Sequence, residues 1–281
     1  MYSSASELAA AAQRQSDLKN YKNEGFCIAR GLLPRLQVEH VFSDMHKLVK
    51  QQLKHRSLPS CNTSSPSDMH HDLHCLFQCD LAAYIATLTI CGKLVSLFDL
   101  YLHHNVRTFA AELGINFPVF QTTPVVHLMA NDLNIPNGYH GVGAHQDWPT
   151  LQGSLDTVTI WIPFVPVDAN LFTLEIIPES HKHGLLPYTR QANIFEVDSN
   201  CYDPAKFLAI EAEPGDVVFM STFAIHRSST TGDDRLRLAT SMRYENAGEP
   251  HFIARTYPFA QKRSVLAELI TPGFPSVADF G

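Results

Sequence analysis

Basic charge is scarce in this chain. Lys and Arg total 21 against 28 Asp and Glu, a formal balance of −7 over 281 residues. A groove for phosphates or a face for an anionic membrane needs the opposite sign, so neither nucleic acid nor a membrane is expected as a partner. Long apolar runs are also missing. The greasiest stretch, Leu81 to Leu102, carries Lys93 and Asp99, and no membrane span is expected from it. The start, Met1 to Glu7, shows no basic segment followed by an apolar one, and the end, Ala278 to Gly281, is not a Ser-Lys-Leu address. A soluble, cytoplasmic protein is therefore expected. The six cysteines (Cys27, Cys61, Cys75, Cys79, Cys91 and Cys201) have no framework spacing, which fits reduced thiols better than a disulfide scaffold. No repeat or low-complexity tract is evident. What the chain does have is apolar substance: 45% hydrophobic against 17% charged residues, enough for a sizeable core and too much for global disorder.

The texture changes near Phe117. Before it, Ser6 to Asn20 is rich in helix formers, and Arg35 to His55 places Val38, Val41, Phe42, Met45, Leu48, Val49 and Leu53 on one helical face. Ser57 to Asp72 is dense in Ser, Pro, Asn and Asp and predicts a loop; Leu81 to Ala111 predicts one or two further helices. After Phe117, short β-branched and aromatic runs alternate with turns: Pro118–Met129, Thr157–Val167, Phe172–Pro178, Leu208–Glu213, Asp216–Phe223 and Arg235–Tyr244. That pattern predicts an antiparallel sandwich or barrel rather than βαβ units. One composite domain over residues 1–281 is expected: a helical part to about residue 116, a β core over about 117–245 and an extension over 246–281.

The chemistry concentrates in two segments. In Gly141-Val-Gly-Ala-His145-Gln146-Asp147-Trp148, an imidazole and a carboxylate stand two apart, on the same side of an extended chain, and can grip one metal ion. Alone, such a pair is weak, since it also arises by chance in surface strands. The second segment raises its weight: Pro214-Gly-Asp leads into an apolar strand that ends at His226, and after a polar turn the alternating strand Arg235 to Tyr244 follows. On that strand Leu236, Leu238 and Met242 face one way, while Arg235, Arg237, Ala239 and Ser241 face the other. Two histidines and a carboxylate on a β scaffold make the facial triad of non-haem iron(II) oxygenases, with three positions open. The charges fit as well. A ferrous dication, Asp147, two neutral imidazoles, a 2-oxoglutarate dianion and one arginine sum to zero, and a closed pocket tolerates little else.

These motifs, in this order, resemble the phytanoyl-CoA dioxygenase-like branch of Fe(II)/2-oxoglutarate oxygenases. The resemblance rests on Asn23-Glu-Gly25-Phe, His145-Gln146-Asp147, Val158-Thr-Ile-Trp161-Ile, Pro178-Glu-Ser180-His181, Gly215-Asp216, His226, and Arg237 eleven residues beyond it, and covers about residues 17–245. It implies a mainly β fold with flanking helices: a double-stranded β-helix (jelly roll, cupin-like) buttressed by the N-terminal helices. It implies His145, Asp147 and His226 as iron ligands, Arg237 as the clamp on the distal carboxylate of 2-oxoglutarate, and Ser228 as its hydrogen-bonding helper. Arg235 shares the inward face and competes for the clamp. O2 is the implied oxidant, with ascorbate as a reductant, and the implied reaction is hydroxylation of a small-molecule metabolite or biosynthetic intermediate with release of succinate and CO2. Desaturation, epoxidation or ring closure on the same site is an alternative, as is a non-redox jelly-roll binding protein or isomerase. Related halogenases carry Gly or Ala where Asp147 stands, so oxygen transfer is expected here. Two departures, Asn170-Leu171-Phe172 for the family's Asn-Gly and Glu179 for the turn glycine, argue against carrying over an acyl-CoA substrate.

Other candidates have blander readings. Gln121 and His127 precede the His-x-Asp loop and either reach the iron or cosubstrate or are core polar residues. Trp148 and Trp161 are core aromatics or substrate platforms. The cluster His70-His71-Asp72-Leu-His74-Cys75, with Cys79, lacks the second ligand pair of a structural zinc site, and lining the active-site mouth is the expectation for it.

Overall fold

The computed structural model describes residues 5–120, 122–135, 141–190 and 195–258. Helix α1 (Ala5–Glu24) and strand β1 (Phe26–Ala29) open the chain, followed by α2 (Arg35–His55), α3 (Pro66–Cys79), α4 (Leu81–Cys91), α5 (Val95–Tyr101) and α6 (His104–Glu112). Then come β2 (Pro118–Val119), β3 (Val125–Met129), the short α7 (Trp148–Leu151), β4 (Val158–Pro163) and β5 (Leu174–Ile176). Strands β6 (Tyr188–Arg190), β7 (Phe195–Val197), β8 (Leu208–Ala209), β9 (Val217–Ser221), β10 (His226–Ser228) and β11 (Arg237–Asn246) complete the β part, and α8 (Pro250–Ala254) follows.

The amphipathic face read from the sequence is the buried face of α2: Val38, Val41, Phe42, Met45, Val49 and Leu53 are in the core, while Leu48, read on the same face, is only partly buried against it. The loop expected to Asp72 ends at Ser65. There the side chain of Ser65 caps the N–H of Asp68, Asp68 answers the N–H of Ser65, and Pro66 fills the first helical position. Serine, proline and aspartate, read as loop formers, are here the first turn of a helix. Residues 81–111 hold three helices rather than one or two, interrupted after Cys91 and Tyr101.

Six strands form the larger sheet, in the order β1-β9-β4-β11-β2, with β3 also on β11 and every pairing antiparallel. The smaller sheet runs β10-β5-β8, with the β6-β7 hairpin alongside. His145 joins the two pieces, bridging to His226 on one side and Glu196 on the other. Two antiparallel sheets with helices outside are the jelly roll that the motifs imply.

Strand parity decides which residues meet the helices. Leu238, Thr240, Met242 and Tyr244 of β11 turn outward: Tyr101 donates its hydroxyl to Thr240 Oγ1 at 3.0 Å, and Tyr244 donates to the backbone oxygen of Tyr101. Phe109 of α6 stacks on Phe219 of β9 with centroids 4.4 Å apart. Arg237, Ser241, Arg243 and Glu245 therefore turn into the barrel. Both departures from the family pattern fall on left-handed backbone, Phe172 at φ 44° and Glu179 at φ 63°, a conformation that glycine adopts without strain.

Glu245 is buried at the inner end of β11. Burial raises its carboxyl from an ordinary 4.5 to about 7, against the opposing pull of Arg255. Between those two values the unfolded chain has lost this proton while the folded chain keeps it, so stability falls as pH rises through that window and stays reduced above it. Glu245→Gln is expected to raise Tm by a few degrees at pH 8 and to change it little near pH 4, measured by thermal unfolding against the parent at each pH.

Candidate metal centre

His145 and His226 are a directly opposed antiparallel pair: each donates its backbone N–H to the other's carbonyl, at 2.9 and 3.0 Å. Opposed residues project to the same side of a sheet, and the imidazole centroids are 4.0 Å apart. Asp147 Oδ1 lies 3.6 Å from His145 Nε2 and 3.8 Å from His226 Nε2, and all three residues are buried. One donor atom from each falls within 4.8 Å of the others. The intervening Gln146 points the other way, donating to the carbonyls of Gly184 and Phe223 and accepting from the N–H of Leu186, which ties the loop down.

The tautomers follow from the partners. Nδ1 of His145 faces the carbonyl of Gly143 at 2.8 Å, and Nδ1 of His226 faces that of Ala224 at 3.1 Å. A carbonyl only accepts, so each Nδ1 carries a hydrogen, which leaves Nε2 as the atom that each imidazole can offer a metal. Burial, then the neighbouring His145 imidazole, pushes His226 down to about 3 despite Asp147, so it stays neutral. Burial alone would raise the Asp147 carboxyl, but the Arg243 guanidinium beside it holds it well below the usual carboxylate range. Two imidazole nitrogens and one anionic oxygen, preoriented by these partners, can take a ferrous ion.

The two oxygens of Asp147 are differently employed. Oδ2 accepts from Thr159 Oγ1 at 2.7 Å and from Arg243 Nε at 3.1 Å, while Oδ1, also 2.8 Å from Arg243 Nη2, is the one that faces the imidazoles. A metal would thus meet a carboxylate already turned to offer one oxygen. Arg243 in turn donates to Ser241 Oγ at 3.1 Å, and His127 Nε2 stands 2.8 Å from the same oxygen. Arg243 was not among the residues singled out from the sequence. Its signal was there: it lies six residues beyond Arg237, on the same face of the strand.

Arg243 partly fills the place of a cation, and that has a measurable consequence. Arg243→Leu leaves a buried carboxylate unpaired when no metal is present, a loss on the order of 3 kcal/mol. Thermal unfolding of the metal-free variant is therefore expected at lower temperature than the parent, and saturating Ni(II) is expected to restore more in the variant than it adds to the parent.

Beside the triad lies a cavity lined by His127, Trp161, Leu174, Arg227, Ser228, Arg237, Ser241 and Arg243, among others. Arg237 is buried there, with its guanidinium 5.7 Å from the Trp161 ring centroid. Arg235, the competitor, lies outside. The strand begins only at Arg237, and Arg235 sits in the turn before it, half-exposed, paired with Asp168 at 2.8 Å and Asp233 at 2.6 Å. Parity was extended one step too far. His127 lines the cavity; burial, then Arg237 and Arg243, lowers its pKa well below the ordinary value and keeps it neutral. Gln121 lies outside the described residues. Trp148 stacks on Phe223 with centroids 5.7 Å apart and does not line the cavity. Nor does any residue of the His70–Cys79 cluster, contrary to expectation: His70 closes instead on Asp132 at 2.7 Å.

Comparison with known proteins adds the lineage. The family model described as phytanoyl-CoA dioxygenase matches residues 21–237. A methylphosphonate hydroxylase of Gimesia maris (strain ATCC 29201 / DSM 8797 / 534-30) is 27% identical over 136 residues, 48% of this chain and 50% of that protein, so the match spans about half the length of the curated relative. Among solved structures, the epimerase SnoN in complex with Fe3+, alpha ketoglutarate and nogalamycin RO superposes with a TM-score of 0.59 at 17% identity, covering 92% of this chain and 94% of that one. The non-heme monooxygenase ThoJ gives 0.57 at 14%, covering 82% and 77%. The alpha ketoglutarate dependent carbocyclase SnoK gives 0.54 at 15%, covering 85% and 86%. At these identities the structural likeness speaks for the fold.

Proposed function

Because this chain belongs to the phytanoyl-CoA dioxygenase family of Fe(II)- and 2-oxoglutarate-dependent oxygenases, we propose that it hydroxylates an unactivated C–H bond of a small-molecule metabolite or biosynthetic intermediate, releasing succinate and CO2. The observation that carries this reading is the convergence of His145, Asp147 and His226 beside a cavity that holds a buried arginine. Ferrous iron with 2-oxoglutarate would supply the activation of O2 and the oxidising power. The chain's own residues do the rest. His145 and His226 present Nε2, held by the backbone carbonyls behind them, and Asp147 presents Oδ1, held by Thr159 and Arg243. Arg237 binds the distal carboxylate of 2-oxoglutarate with its planar fork, and Ser228 hydrogen-bonds to it. Trp161 and Leu174 wall the cavity with apolar surface and exclude water.

Charge narrows the substrate. The neutral sum counted from the sequence included one arginine, and Arg243 brings a second. Arg227 adds nothing, since it pairs with Glu175 at 2.6 Å. With 2-oxoglutarate bound, a ferrous ion, Asp147, Arg237 and Arg243 would together carry one positive charge in excess, which a carboxylate or phosphonate on the substrate would neutralise. The relative named for methylphosphonate hydroxylation supports the same kind of substrate, a small anion.

The test is a succinate-release screen with iron, 2-oxoglutarate and matched small anions and neutral analogues. Stoichiometric succinate with a product one oxygen heavier, favoured by the anions, is expected. Products without the added oxygen would move the assignment to desaturation or ring closure, and turnover independent of iron or 2-oxoglutarate would defeat it.

A further inference from the structure

None of the donors in a second cluster lines the cavity, and nothing in the oxygenase reaction uses them. Cys61 lies in the loop between α2 and α3. Its backbone N–H donates to Asp72 Oδ1 at 2.9 Å, and its Sγ stands 3.5 Å from His71 Nδ1. That same nitrogen is 3.5 Å from Asp72 Oδ1. Cys75, one helical turn beyond His71 on α3, brings its Sγ to 3.9 Å from it. A sulfur, a nitrogen and an oxygen of Cys61, His71 and Asp72 thus fall within 4.8 Å of one another. Donors around a single tetrahedral ion, at about 2.0–2.3 Å from it, stand roughly 3.3–3.8 Å apart, and both 3.5 Å distances from His71 Nδ1 fall in that range.

The carboxylate is held from behind. Asp72 is fully buried, and its Oδ2 lies 2.8 Å from Nε2 of His46, which is equally buried. A ligand carboxylate fixed by a partner on its far side is the arrangement that outer-shell groups supply in metal sites. The His71 imidazole is exposed, which leaves an approach from solvent.

We propose that Cys61, His71, Asp72 and Cys75 form a second metal site, specific for a thiophilic divalent cation such as zinc, that fastens the 56–65 loop to α3. Two sulfurs and an imidazole select zinc over magnesium or calcium, which prefer oxygen donors. Loading releases the two thiol protons to solvent as the thiolates bind, with no change of oxidation state. Cys75 closes the fourth position by a side-chain rotation. The sequence alone gave this cluster little weight because zinc sites announce themselves as two spaced pairs. Here the extra ligand comes from the preceding loop, ten residues before His71.

The triad also binds divalent ions, so the test separates the two sites. Full-length protein stripped with chelator is titrated with Co(II) alone. His145→Ala/His226→Ala protein is expected to take up one equivalent, with the strong visible absorption of tetrahedral cobalt and a thiolate-to-metal band. Adding Cys61→Ser and Cys75→Ser is expected to remove both signals. In the parent, the same two serine changes are expected to lower zinc content from two equivalents to one, a readout that does not depend on the triad variant folding. Equal zinc content with and without the two cysteines, or cobalt spectra that lack the thiolate band in protein retaining them, overturns the proposal.

Discussion

Asp147→Ala is expected to lower iron- and 2-oxoglutarate-dependent succinate formation by on the order of 10³-fold or more, a rise in the barrier of about 4 kcal/mol. Among the described residues the carboxylate would be the one anionic protein donor to the ion, and alanine leaves only the two imidazoles. The change has a second effect. Arg243, which places Nη2 2.8 Å from both Asp147 oxygens, would be left as a largely buried cation without its anionic partner. Breaking a buried pair from one side costs about 3–5 kcal/mol, so the Asp147→Ala protein is also expected to unfold at lower temperature. Adding Arg243→Leu separates the two effects: it should recover much of the thermal stability and none of the turnover. Recovery of turnover by the double variant would count against Asp147 as a ligand.

Arg237 carries the second large effect. Arg237→Leu is expected to raise KM for 2-oxoglutarate by roughly 10²-fold, with kcat changed far less, because the group it would bind lies at the far end of the cosubstrate from the reacting atoms. Arg237→Lys keeps the charge but loses the two-pronged contact and should fall between the variant and the parent. Steady-state kinetics with 2-oxoglutarate as the varied component reads this directly. The same change at Arg235, half-exposed and paired with Asp168 and Asp233 at the surface, is expected to leave that KM alone.

Why the sequence yielded the triad but not its surroundings is a matter of range. His145 and Asp147 stand two residues apart, His226 and Arg237 eleven, and it is the order of recognisable motifs that links the two segments. Helix α2 was legible for the same reason, since its apolar face repeats along one continuous segment. Asp147's supports are not local: Thr159 comes from β4 and Arg243 from the far part of β11, and only the pairing of those two strands brings them together. The smaller sheet was blurred because its strands are short, two or three residues each, and His145 joins it by single bridges rather than as part of a strand. A run such as Phe172–Pro178 therefore reads longer than the strand Leu174–Ile176 within it, which follows the left-handed turn at Phe172. The segment around Pro66 misled for a chemical reason, because the residues that end loops by capping helices are the residues that make loops.

The deciding experiment is optical and needs no substrate. In the absence of oxygen, one equivalent of Fe(II) followed by 2-oxoglutarate should produce a weak visible charge-transfer band that saturates at one equivalent of each. It should be absent in His226→Ala protein and require far more 2-oxoglutarate in Arg237→Leu protein. A parent protein that folds, yet shows no such band at any ratio of iron to 2-oxoglutarate, contradicts the whole assignment.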